Sequence, residues 1–243
     1  MAQRPWEVLR ETELTLQEAR QFLIKSEGGE VGQKLERSIY KCVNDSKLND
    51  VLSSGGQRLF KRYHCRGLAQ VMPLHLQYVD VGIKTFLRNF NMSFVPELGG
   101  VWIACRKARL VEPKGFTSDA EKLGIVCFQL VVEVLVFCPQ PGLNLTAQVT
   151  EIRHDGLSCS IFGCFNGHIA LNRLLEGSKP IINEEDESLN IIEIKNPVTG
   201  KAQTMKLGSK IKFVVYNIVC FASADQETYT VEGSMRPLKI RKR

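Results

Sequence analysis

Apolar positions along the chain change their period three times. In residues 1–57 they recur at helical spacing. "TLQEARQFLIKS" opens on Thr15 and places Glu18 three residues later, the pattern of a capping box. Beyond Gly28-Gly29, the residues Val31, Leu35, Ile39, Cys42 and Val43 repeat with the helix. The whole stretch therefore reads as a helical N-terminal extension with an apolar face that must dock on something. "SSGG" at 53–56 breaks the pattern and marks a boundary.

Residues 58–136 read as an α/β unit. "GLAQVMPLHLQ" predicts a strand. Val79, Ile83, Phe86, Leu87, Phe90 and Phe94 then define one face of an amphipathic helix, with Asp80, Lys84, Arg88 and Asn91 on the other. "PELGG" ends that helix. "VWIACRKARLV" follows as a strand with a basic second half: Arg106, Lys107 and Arg109. Val126, Phe128, Leu130, Val132, Val134 and Val136 share one face of a strand running from Gly124 to Phe137. That is long for a strand, and long enough to leave one sheet and enter the next domain.

After the turn "CPQPG" (138–142) the pattern becomes all-β. Leu143, Leu145, Ala147 and Val149 alternate with polar residues, but the next inward residue is Ile152, a slip that predicts a β-bulge. Asp155-Gly156 signals a hairpin, followed by the strands "LSCSIFG" and "NGHIAL". A polar insert, 172–206, contains the acidic run Glu184–Glu187. "SKIKFVVYNIVCFA" and "ETYTVEGSM" close the unit. Five strands, the first bulged, with an insertion between the third and fourth, match the rhythm of an OB-fold β-barrel. The predicted class is α+β: an N-terminal helical extension (1–57), an α/β domain (58–136) and a C-terminal OB-fold domain (137–243).

Charge sharpens this division. The net charge is +6, but residues 58–136 carry 11 basic and 6 acidic side chains, and the tail "RPLKIRKR" holds five basic residues. A basic middle and tail permit contact with nucleic acid or an acidic protein. "MAQRPWEVLRETEL" lacks the apolar core of a secretory signal, and no window reaches the roughly 18 uninterrupted apolar residues of a membrane span. No membrane partner is expected. The 8 cysteines include no pair at two-residue spacing. Cys105, Cys127 and Cys220 fall in apolar runs, so buried thiols in a reducing compartment are expected.

Three readings compete for "IFGCFNGHIA" (161–170). Cys164 and His168 are four apart, which suits a thiol and its base, half of a metal site, or a tight turn without chemistry. Catalysis lacks an orienting third group, and zinc lacks a fourth ligand. No Gly-rich phosphate loop occurs. No catalytic residue, metal ligand or cofactor is expected. Gly163 and Gly167 then serve a tight connection between strands, Cys164 and Phe165 pack, and Asn166 fits the turn. The second and third barrel strands carry no Lys or Arg from Gly156 to Leu171, and Ser158 and Cys159 stand where stacking aromatics belong; Phe162 and Phe165 lie near that face. Contact with RNA would rest on Arg153, Lys210, Lys212 and the tail residues Arg241, Lys242 and Arg243.

The stretch "VLVFCPQPGLNLTAQVTEIRHDGLSCSIFGCFNGHIAL" resembles the polymerase I branch of the RNA polymerase stalk-subunit family. The likeness is carried by the F-C-P-x-P-G turn (Pro139, Pro141, Gly142) and the later G-C-F-N (Gly163 to Asn166) with Gly167. It is close over about 35 residues, and looser in element order over roughly 60–240. The resemblance implies a non-catalytic subunit whose tip domain docks on the polymerase core and whose OB domain stands near exiting RNA. It also implies an initiation factor as partner, ribosomal RNA gene transcription as the process, a nuclear and nucleolar location and, in some lineages, a small second stalk subunit. By position the tip is 58–136, and the loop Pro96, Glu97, Leu98, Gly99 and Gly100 is the candidate core contact. Residues 1–57 have no counterpart, and stand where a second stalk subunit could be replaced. The rival reading is a free-standing OB/S1-type RNA-binding protein of ribosome biogenesis or translation.

Overall fold

The computed structural model describes residues 6–26, 29–44, 59–117, 124–183, 190–195, 202–222 and 227–236. The predicted boundary at 53–56, the acidic run 184–187 and the tail residues Arg241, Lys242 and Arg243 lie outside them. The chain is mixed α+β and mostly strand, and forms two compact units. One comprises Met1–Tyr40 and Arg58–Cys138, the other Lys41–Gln57 and Pro139–Arg243. No helix among the described residues is long and apolar enough to cross a membrane.

The first unit is built on one sheet. Its middle is β6 (Val126–Phe137), flanked by β2 (Phe60–Val71) and β4 (Gly100–Leu110); β1 (Trp6–Leu14) and β3 (Phe94–Val95) form the edges, and the short β5 (Phe116–Thr117) also pairs with β6. β6 pairs with β2 along its full length, from Val71↔Val126 to Phe60↔Phe137. The expected passage of this long strand into a second sheet does not occur. Its length is used inside one sheet, where both faces of its C-terminal half are buried. The predicted apolar face, Phe128 to Val136, does form the core, packed against Ile83 and Leu87 of α3 (Val79–Arg88).

Three readings need correction here. Residues 1–57 are not all helical: Trp6–Leu14 is an antiparallel strand, followed by α1 (Leu16–Ile24) and α2 (Gly29–Asn44). The capping box is present, with the Thr15 hydroxyl accepting from the Glu18 N–H and the Glu18 carboxylate accepting from the Thr15 N–H at 2.8 Å. "GLAQVMPLHLQ" is not one strand. The strand ends at Val71, and Pro73, which cannot donate to a ladder, opens a 3-10 turn over Pro73–Tyr78. Likewise α3 stops at Arg88, so Phe94 leaves the helical face and joins β3.

A charge cluster ties the sheet face opposite α3 to α1. Glu133, almost fully buried, accepts from Arg106 Nε at 2.7 Å and Lys107 Nζ at 2.9 Å, and His64 Nε2 lies 3.7 Å away. Consecutive strand residues normally point to opposite faces. Here a bulge between Arg106 and Arg109, with Lys107 in the left-handed region (φ 53°), aims both cations at one carboxylate. The Arg106 guanidinium also lies 4.1 Å over the Phe22 ring of α1. Burial pushes the Glu133 carboxyl up, but hydrogen bonds from Lys107 and Arg106 outweigh it and hold the group below its ordinary 4.5. A depressed folded pKa gives stabilisation that is complete above the unfolded value and fades as pH falls through the folded one. Glu133→Gln should therefore cost about 2 kcal/mol at pH 7. The gap to wild type should be constant above about pH 5.5 and shrink below pH 4.5. Urea titrations across this range measure it.

The second unit is a closed barrel of β7 (Asn144–Arg153), β8 (Gly156–Ile161), β9 (Phe165–Ala170), β13 (Lys210–Ala222) and β14 (Glu227–Ser234). They run in the order β7-β8-β9-β14-β13 and back to β7, with β9 and β14 parallel. The predicted bulge in β7 is present as a register shift between Val149 and Glu151. The insert is more than a polar loop: β10 (Lys179–Ile181), β11 (Ile191–Lys195) and β12 (Ala202–Lys206) make a three-stranded antiparallel sheet. Burial of Ile192 and Met205 gives that small sheet an apolar side.

Candidate functional site

The candidate docking loop splits into packing and exposed residues. Pro96–Leu98 form a single 3-10 turn, and Gly99 follows in the left-handed region at φ 59°. Leu98 is buried, and a Cβ on Gly100 would stand 2.5 Å from the Phe137 carbonyl oxygen, so both serve the fold. Pro96 and Gly99 are exposed and Glu97 is half-buried. Pro96 and Glu97 share an open groove with Trp6, Glu7 and Val8 of β1. The loop sits at the Phe137 end of β6, because Gly100 and Val101 pair there.

The opposite end of the same sheet carries a feature missed in the sequence. Met72, Leu74, Leu76, Tyr78 and Val81 are all exposed, Leu74 at 83% and Tyr78 at 70%. Five large apolar side chains exposed within ten residues are a concentration of the kind that marks an interaction surface. Pro73 beside an alternating apolar run was the available signal, since proline argues against a central strand.

On the barrel, Gly163 has φ 70° in the turn between β8 and β9, beside Phe162 at φ 52°. Phe165 is wholly inside, 6.3 Å from the Tyr229 ring, so it offers nothing to a base on the outer face. Asn166 is not in the turn; it is an exposed β9 residue opposite Ser160. Cys164 precedes β9 and His168 lies four residues on, roughly 13 Å along an extended strand. They do not form a thiol–imidazole pair. Among the described residues no group of three or more His, Cys, Asp or Glu side chains is placed to hold a metal. Buried Cys65, Cys138 and Cys159 have thiols pushed up to about 12 by burial, which makes them poor nucleophiles. Cys220, expected inside, is exposed.

The turn Pro139, Pro141, Gly142 ties the barrel's entry to β13. Gly142 (φ 92°) donates its N–H to the Val215 carbonyl, and the Val215 N–H donates to Leu143, each at 2.8 Å. Lys210 and Lys212 are exposed on β13, opposite Gln148 and Thr146 of β7. Arg153 stands at the other end of β7 and pairs with Glu151 at 2.7 Å. The three cations do not form one cluster. The outer groove over β7, β8, β9 and β14, about 450 Å³, is lined by Ser158, Asn166, His168, Thr230, Glu151 and Glu232. Its charge is acidic, which opposes a phosphate backbone.

These observations define a class: a strand-rich protein with an open sheet in one unit, large apolar side chains exposed at one end of it, and a closed five-stranded barrel in the other. The chain is similar to DNA-directed RNA polymerase I subunit RPA43: 29% identical to the Mus musculus protein over 106 residues (44% of this chain, 31% of that protein) and 28% identical to the Homo sapiens protein over 106 residues (44% and 30%). The chain thus spans about a third of the length of the curated relatives it matches. No family model matches it.

Proposed function

We propose that the chain is a non-catalytic stalk subunit of RNA polymerase I, acting in the nucleus and nucleolus in ribosomal RNA gene transcription. The similarity to RPA43 carries this reading. The barrel supports it. Numbered within the barrel, its strands run 1-2-3-5-4 and close on 1, with a parallel 3–5 pair, an arrangement that suits an OB fold. In this reading 58–136 is the tip domain and 137–243 the OB domain. The tip docks on core subunits of the polymerase, and the barrel side receives an initiation factor and lies near nascent RNA.

The docking surface is the patch from Met72 to Val81 rather than Pro96–Gly100 alone. It lies at the Val126 end of β6, away from the Phe137 end at which the chain leaves the sheet. Replacing both Leu74 and Tyr78 with aspartate should reduce co-purification of the large polymerase I subunits at least ten-fold. The melting temperature should stay within about 2 °C of wild type, because neither side chain is buried.

Affinity purification of the tagged chain tests the whole reading. Recovery of the large polymerase I subunits is expected. Recovery of RNA and ribosomal proteins alone would favour the free-standing RNA binder. The acidic outer groove speaks against that alternative and leaves Lys210, Lys212 and Arg153 as weak, salt-sensitive contacts.

A further inference from the structure

The outer edge of the first sheet is filled by the chain's own N-terminus. β2 is a regular strand, paired with β6 from Phe60 to Val71 without a register shift. With nothing on its other side, it would present twelve residues of unpaired backbone, a template for a strand from another chain. β1 covers this edge, from Trp6↔Gly67 to Leu14↔Phe60. Its two ends are pinned by the buried side chains of Trp6 and Leu14, and ion pairs join Lys61 to Glu11 at 2.6 Å and Arg66 to Glu7 at 3.6 Å. The new outer edge is of a different kind. It has a bulge between Val8 and Arg10 and carries Glu7, Arg10, Glu11 and Glu13, the features by which natural edges refuse a further strand. α1 follows at once, its Phe22 under the Arg106 guanidinium, and α2 is held to it by Arg20 and Glu36 at 2.6 Å.

From this geometry we propose that residues 6–44 are a built-in strand donor. They occupy, within the chain, the β2 edge to which a second polypeptide would otherwise add a strand, so that this stalk needs no separate small subunit at that edge. The identity of the displaced partner rests on the stalk reading; the pairing does not.

Two measurements test it. A protease site is placed between residues 45 and 57 of the full chain, and the purified protein is cut. The N-terminal fragment should co-elute one-to-one with the rest in native buffer and leave only in denaturant; release in native buffer overturns the proposal. Separately, Thr12 and Arg62, opposite each other in register, are both replaced by cysteine and oxidised to lock β1 on β2. The locked chain should enter polymerase I as efficiently as its reduced form. Exclusion of the locked form while the reduced form assembles would overturn the proposal, because β1 would then have to leave. If neither form assembles, the stalk reading fails, and the cleavage result alone decides whether the segment is a donor.

Discussion

Trp102→Ala should lower the melting temperature of the sheet unit by roughly 10–20 °C. Trp102 on β4 has no solvent exposure, and its ring lies 5.0 Å from that of Trp6 and 5.3 Å from that of Phe90. Trp6 and Phe90 are themselves edge-to-face at 5.4 Å. The three rings come from β1, from β4 and from just beyond α3, so one side chain joins segments far apart in sequence. Truncating a buried tryptophan to alanine costs about 3–5 kcal/mol, toward the upper end where the cavity cannot collapse. Collapse is hindered here because Trp6 is tied to β2 through the strand ladder. The chain has 2 tryptophans, so in this variant Trp6 alone reports by fluorescence. Its emission should shift to the red as water reaches the vacated site. Trp102→Phe should lose less than half as much stability. An alanine variant with unshifted emission and a melting temperature within 4 °C of wild type would show that this cluster does not hold β1.

Where the sequence is legible, a local rule and the tertiary environment agree. α3 is periodic because it turns one apolar side to the core, and every second residue of β6 from Phe128 to Val136 meets that same core, although the C-terminal half of β6 is buried on its other face too. The β7 bulge shows as a slipped parity, since the slip is the physical event itself. β1 is hidden for the opposite reason. Between its pinned ends Val8 and Leu9 are exposed, so the strand shows no alternation to read. Met72 to Tyr78 misleads in the other direction: its alternation is real, but its apolar side chains face solvent. The Glu133 cluster depends on a bulge and on partners 26 and 27 residues away, and no local pattern encodes such a meeting. Of the candidate site, the hairpin was legible: the alternation of "LSCSIFG" and "NGHIAL" became β8 and β9, with Gly163 in the turn between them. Cys164 stands in that turn and His168 inside β9, so their spacing of four does not put them on one strand face.

Gly167→Val should damage the barrel severely. Gly167 lies in β9, between β8 and the parallel β14, opposite Cys159 and Val231. A Cβ there would stand 2.8 Å from Cys159 Sγ and 3.3 Å from Ile161 Cδ1, inside a wall of fully buried side chains. Cys159 and Ile161 are both buried, so any shift that makes room disturbs the packing around them. Adding a branched side chain to such a site costs about 1–3 kcal/mol or more. The strain also falls on the parallel β9–β14 contact that helps close the barrel. Soluble yield should fall severalfold, and β8, β9 and β14 amides should lose hydrogen-exchange protection, while β2 and β6 keep theirs. Gly163→Ala separates this mechanism from turn strain. Gly163 is exposed at φ 70°, so that variant carries only a left-handed backbone penalty of about 1–2 kcal/mol. Protection near β9 should then drop modestly, and the barrel should stay closed. If the two variants lose equal protection, crowding at Gly167 is not what limits the barrel. If Gly167→Val keeps wild-type protection, the close approach to Cys159 is not a constraint at all.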